Sequence, residues 1–164
     1  MARFRPGDLA VYPNHGVGEI VSIEEKHLGS VSISCYVVSI LSTASKLFVP
    51  VDSADKMGLR SLTPAADTQS VYRCFESKSP ELLRMNWNKR YRFLQDRMKE
   101  GTAHDIAMVI SDLLYLKKSK GLSYGEEQLL ATAEEILTTE LSITENRSKD
   151  DIKEHIHTII GISS

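Results

Sequence analysis

The sequence predicts an α+β protein in two parts: a small β-barrel over residues 1–60, then a compact all-helical domain over residues 61–164. Three observations predict it. Gly7, Pro13, Gly16, Gly18, Gly29 and Pro50 punctuate the first part, with short β-branched runs between them. From Thr63 onward the apolar period changes to that of helices. Residues that start and stop helices then recur along the second part.

Taken in order, the strands expected are Leu9 to Tyr12, Val17 to Glu24, Ser32 to Leu41 and Lys46 to Val51. In the last, the two-residue pleat sets Leu47, Val49 and Val51 on one side and Phe48 and Pro50 on the other. So many short strands in so few residues suggest closure into an SH3-like or Tudor-like barrel rather than an open sheet. In the second part, Thr63 before Pro64 and Ser79 before Pro80 read as N-caps followed by a first-turn proline. Thr102 to Asp105, Ser123 to Glu126 and Ser148 to Asp151 resemble capping boxes, and Gly101 and Gly121 stand where helices should stop. One apolar stripe runs through Ile106, Ala107, Ile110, Leu113 and Leu114, another through Leu129, Leu130, Ala133, Ile136, Leu137 and Leu141. Four or five short helices are expected. No long flexible linker separates the two parts near Leu59 to Thr63.

Composition narrows the function. The chain has 164 residues, 41% of them hydrophobic, and no apolar run near the ~20 residues that span a bilayer. Met1 to Asp8 has no apolar stretch after its charges, so a cytoplasmic protein with no membrane partner is expected. Cys35 and Cys74 are far apart and sit in apolar contexts, which fits buried reduced thiols and neither a zinc knuckle nor a CxxC redox pair. Gly16-Val17-Gly18 lacks the rest of a dinucleotide fingerprint, and no phosphate-loop run is present. His155 and His157 diverge on a helix, and His15 reads as a turn residue. No catalytic set, metal site or cofactor is expected, and the chain is not expected to be an enzyme.

The charge pattern points to a polyanion instead. Although the formal net charge is -2, Arg84, Lys89, Arg90, Arg92, Arg97 and Lys99 face only Asp96 between residues 84 and 99. Acid gathers further on, from Glu126 to Glu154. Such a chain can be acidic and still present one cationic patch. If four of these cations met phosphate, the log–log salt slope would be about -3.6.

Trp87, the single tryptophan, lies inside that basic run. On one continuous helix from Pro80 to Lys99, Leu83, Trp87, Tyr91, Leu94 and Met98 share a face, and the periodicity leans towards a core tryptophan. Asn86 is a good N-cap, however, and a helix starting there puts Trp87 in the first turn, where its ring can project. Phe48 poses a second question. Beside Pro50, which cannot donate to a ladder, it lies on what reads as an edge strand, either packed or offered to a partner by strand addition.

Several motifs occur together in order from about Phe4 to about Leu141. They are Pro6-Gly7-Asp8, Val11-Tyr12-Pro13-Asn14-His15-Gly16-Val17-Gly18, Phe48-Val49-Pro50-Val51, Val71-Tyr72, Asn86-Trp87-Asn88-Lys89-Arg90-Tyr91, Asp112-Leu113 and Gly121-Leu122-Ser123-Tyr124-Gly125-Glu126. Together they resemble the CarD/CdnL family of bacterial RNA polymerase-binding transcription regulators. The resemblance implies a Tudor-like domain that docks on the polymerase β subunit, partly by strand addition, with Phe48 and Pro50 at the contact and Val38 beside them. It implies a helical domain on promoter DNA, with Trp87 as a minor-groove wedge at the upstream bubble edge and Lys89, Arg90 and Arg92 holding the backbone.

Two positions depart from the family. Glu127-Gln128 stand where some members carry basic residues, and Phe48 stands where some carry arginine, so docking is expected to be more apolar and less salt-sensitive. No operator sequence is expected, since no base-reading set is visible, and a monomer is expected. The competing reading is a Tudor- or KOW-like RNA-binding module of the ribosome or elongation machinery, which would stack bases on Tyr12, Tyr36 or Phe48.

Overall fold

The computed structural model describes Ala2–Gly161, and the chain divides into two compact units, Met1–Leu62 and Thr63–Ser164. The first is an antiparallel sheet of β1 (Leu9–Tyr12), β2 (Gly16–Leu28), β3 (Val31–Ile40) and β4 (Lys46–Pro50), in that spatial order. Phe4, Ala10, Ile20, Tyr36, Val38, Ile40, Val49, Ala54 and Leu59 form its core, with Leu47 and Val51 packed against them as the pleat requires. Gly18 is obligatory here, because an added Cβ would sit 2.6 Å from Val38 Cγ1 and 3.0 Å from the Ser39 carbonyl.

The α+β class is as expected; the closure into a barrel is not. β4 pairs with β3 and β1 with β2, and β1 does not pair with β4, so the sheet is open. β1 is only four residues long, and Arg60 bridges Val11, so the returning chain meets β1 where closure would place β4. After Pro50 the chain leaves the sheet in a 3-10 turn, Val51–Ser53.

Among the described residues the second unit has six α-helices rather than four or five: α1 (Thr68–Arg73), α2 (Pro80–Arg84), α3 (Trp87–Glu100), α4 (Ala103–Ser119), α5 (Tyr124–Glu145) and α6 (Lys149–Ile160). Nor are all short, since α5 has 22 residues. α4 is the hub. It touches each of the other five, and ten of its 17 residues are buried. Both apolar stripes expected from the sequence are inward, with Leu129 half-buried. At ~1.5–3 kcal/mol for each large apolar side chain fully buried, they share the stabilisation of the unit with Phe75, Leu94, Met98, Leu116 and Ile152.

The helix ends follow their caps. Thr102, Ser123 and Ser148 accept from the backbone N–H three residues on, and Ser123 with Glu126 forms a full capping box. Gly101 ends α3 in the left-handed region at φ 71°. Thr63 is no cap: its backbone N–H and hydroxyl both donate to Glu140, at 2.7 and 2.8 Å, while Pro64 opens the 3-10 turn Ala65–Asp67. Tyr72 donates to Glu145 and stacks on His155, 4.3 Å between centroids, which ties α1 to α5 and α6.

Cys35 is buried and Cys74 half-buried, and both are free. Burial pushes the Cys74 thiol up. Among the described residues no helix is long and apolar enough to cross a membrane, and no group of three or more His, Cys, Asp or Glu could hold a metal ion.

Candidate nucleic-acid interface

The continuous helix from Pro80 to Lys99 does not form. α2 stops at Arg84, Met85 and Asn86 are extended, and the Asn86 side chain accepts from Lys89 N at 2.9 Å to start α3 afresh. Asparagine bonds its local backbone better outside a helix than within one, so it makes a cap here instead of a mid-helix residue. The buried face of α3 is then Arg90, Leu94 and Met98, and Trp87 is left in the first turn, 44% exposed. Core periodicity is overridden by the cap.

Trp87 is exposed but not loose. Its ring lies parallel to Tyr91, with centroids 5.1 Å apart and planes 10° apart, and its indole Nε1 donates to Ser123 Oγ at 2.8 Å. Tyr91 in turn lies against the start of α5, where an added Cβ on Gly125 would come within 3.4 Å of its ring. The beginnings of α3 and α5 therefore meet around one indole. The partial positive charge of the α3 N-terminus falls in the same place.

Beneath the indole is a buried ion pair. Arg90 Nε donates to Glu126 Oε2 at 2.7 Å and Nη2 to Oε1 at 3.2 Å, while Nη1 reaches the Met85 carbonyl at 3.3 Å. Burial would raise the Glu126 carboxyl, but the Arg90 and Ser123 hydrogen bonds outweigh it and hold the group below its ordinary range. The expectation that Arg90 is a surface cation is corrected: it is 9% exposed, and its guanidinium is occupied inside the protein. Lys89 and Arg92 are exposed on the outer side of α3. Arg97 lies 5.3 Å over the Phe93 ring and 3.9 Å from Asp105.

Arg90 could have been placed from the sequence, since it precedes Leu94 and Met98 by four and eight residues and so falls on the inward stripe. The contact of Ser123 with the indole had no such signal, because it joins residues 36 positions apart. The acids of α5 are likewise engaged: Glu127 faces Lys117 at 3.8 Å, Glu134 faces Lys153 at 3.8 Å, and Glu135 faces Lys149 at 2.8 Å.

In the first unit, Phe48 is 49% exposed and Pro50 half-buried on the β4 edge. Lys26 Nζ sits 4.1 Å over the Phe48 ring, so the apolar edge carries a cation of its own. The expectation that Val38 lies beside them at the surface is corrected. Val38 is 0% exposed in the core of this unit, and Val37, the β3 residue that pairs with Phe48, is also buried, at 3%.

Known proteins match both units. A family model described as the CarD-like/TRCF RID domain matches residues 4–63, and one described as the CarD C-terminal domain matches residues 70–157. A Bacillus subtilis (strain 168) protein, named as a candidate transcription factor, YdeB, is 29% identical over 150 residues, which span 92% of this chain and 97% of that one. A solved structure, CdnLNt from Myxococcus xanthus, is 36% identical and covers 37% of this chain and 86% of its own, with a TM-score of 0.32. With its second unit matched over more than half of the whole sequence and its first unit matched almost throughout, the chain belongs to the CarD family.

Proposed function

We propose that this chain is a transcription regulator that docks on the RNA polymerase β subunit through the β4 edge and stabilises the open promoter complex, with Trp87 as a minor-groove wedge at the upstream edge of the bubble. The carrying observation is the exposed, ordered indole at the start of α3, with Lys89 and Arg92 exposed along the same helix. Family membership and the transcription-factor name of the Bacillus relative support the setting.

Lys89 and Arg92 give modest, sequence-tolerant attraction to phosphate, and docking makes the DNA contact effectively intramolecular. A bound protein shifts the promoter towards the open state only if it binds that state better. A flat ring entering a step that is already unstacked supplies that difference, whereas a closed duplex must first be unstacked at a cost of a few kcal/mol. A preference of about 1.4 kcal/mol shifts the equilibrium tenfold.

The base-stacking RNA-module reading is weakened by the aromatics it needs. Tyr36 is 1% exposed with its hydroxyl accepting from the Arg3 and Phe4 amides, and Tyr12 is half-buried and stacked with His15. Titrating the protein with a forked promoter duplex, the same duplex fully paired, and single-stranded RNA tests the proposal. The fork should bind tightest, with a salt slope of about -1.8 for two phosphate contacts. Tightest binding to RNA would contradict it.

A further inference from the structure

Ser123 Oγ accepts two hydrogen bonds, from Glu126 N at 3.2 Å and from Trp87 Nε1 at 2.8 Å. It is therefore at once the cap of α5 and the anchor of the indole. Its backbone is fixed in turn, because Ser123 N donates to Glu126 Oε1 at 3.1 Å and that carboxylate is held by Arg90. A hydroxyl has two acceptor sites, and both are used.

We infer that Ser123 is a positioning residue for Trp87: the α5 cap presets the orientation of the indole before DNA arrives, and the Glu126–Arg90 pair keeps the cap in place. This inference rests on the wedge reading above and deepens it. Tyr91 restrains the tilt of the ring by stacking, but a stacked ring can still slide or turn in its own plane. The bond from Nε1 removes that freedom, since a single acceptor fixes which edge faces α5 and which edge faces out. A side chain without that bond must be ordered when it binds, and immobilising one large side chain costs enough to change affinity about three- to tenfold.

The alternative geometry has the opposite sign. If the bond to Ser123 parked the ring away from DNA, cutting it would strengthen the contact. Both signs are measurable, because the chain has one tryptophan and its emission reports this site alone.

The test uses Ser123→Gly in the full chain, which removes the acceptor while costing the cap only a few tenths of a kcal/mol. Ser123→Thr, which keeps the hydroxyl, serves as the rescue. In the free protein, Ser123→Gly should speed the nanosecond anisotropy decay of Trp87 with helix content and melting nearly unchanged. With polymerase on a promoter it should shorten open-complex lifetime about three- to tenfold, and Ser123→Thr should restore both readings. An unchanged anisotropy decay, or lifetimes equal to or longer than those of the parent, overturns the inference. Trp87→Ala in the same assay separates the two claims: if it leaves the lifetime unaltered the wedge reading fails, while the anisotropy arm still decides whether Ser123 orders the ring.

Discussion

Arg90 and Asp112 are the two charged side chains whose surroundings say most about the helical unit. Arg90 is compensated by a bidentate partner, Glu126. A buried pair is strongly destabilising to break and much less so to replace whole. Arg90→Ala should therefore cost about 3–5 kcal/mol by denaturant titration, and Arg90→Met with Glu126→Leu much less. Asp112 is the reverse case, 1% exposed with neither carboxylate oxygen in a hydrogen bond of normal geometry. Burial pushes its carboxyl up, and the nearby Ser79 hydroxyl and Arg97 only partly oppose this. A carboxyl raised in the folded state carries no pH-dependent penalty below the ordinary aspartate range, and the penalty grows from there until pH has passed the folded value. Asp112→Asn should melt higher than the parent at pH 7, by about 4–8 °C per kcal/mol recovered, with the gap closing as pH falls towards the ordinary aspartate range. Equal melting temperatures at both ends would show that Asp112 is relieved by a contact of its own.

At the scale of elements, local signals were legible and distant ones were not. β1 begins and ends where its residues predict, and the pleat of β4 sets Val49 inside and Phe48 outside. Those assignments need only a strand's own period. Capping was legible for the same reason, and at Asn86 a local cap overrules a longer-range apolar stripe and brings the indole to the surface. The missed features all depend on a partner far along the chain. The open sheet goes with the return of Arg60 beside Val11, the anchoring of the indole with Ser123, and the cation over Phe48 with Lys26. The β4 edge carries its own prediction. Phe48→Asp puts a carboxylate where an apolar contact is proposed and should abolish binding to an isolated β-subunit lobe in a pull-down, with the melting of the protein little changed. Normal complex formation would remove β4 from the docking surface.

For the whole molecule, charge segregation along the sequence is softer in space than it reads. The acids of α5 face Lys117, Lys149 and Lys153, and one of the cations near Trp87 is buried against Glu126. What remains is one candidate contact on each unit, an edge strand on the first and an ordered indole with Lys89 and Arg92 on the second. Two weak contacts on one chain become strong together when one supplies the address for the other. That division of labour requires the two to fail separately. The most direct measurement is the decay of preformed open complexes in the presence of a competitor, comparing the parent protein with Trp87→Ala at saturating concentration. A minor-groove wedge at Trp87 requires equal binding of the two proteins to polymerase and a decay about tenfold faster with Trp87→Ala, the equivalent of about 1.4 kcal/mol. Equal decay rates with equal polymerase binding would contradict it.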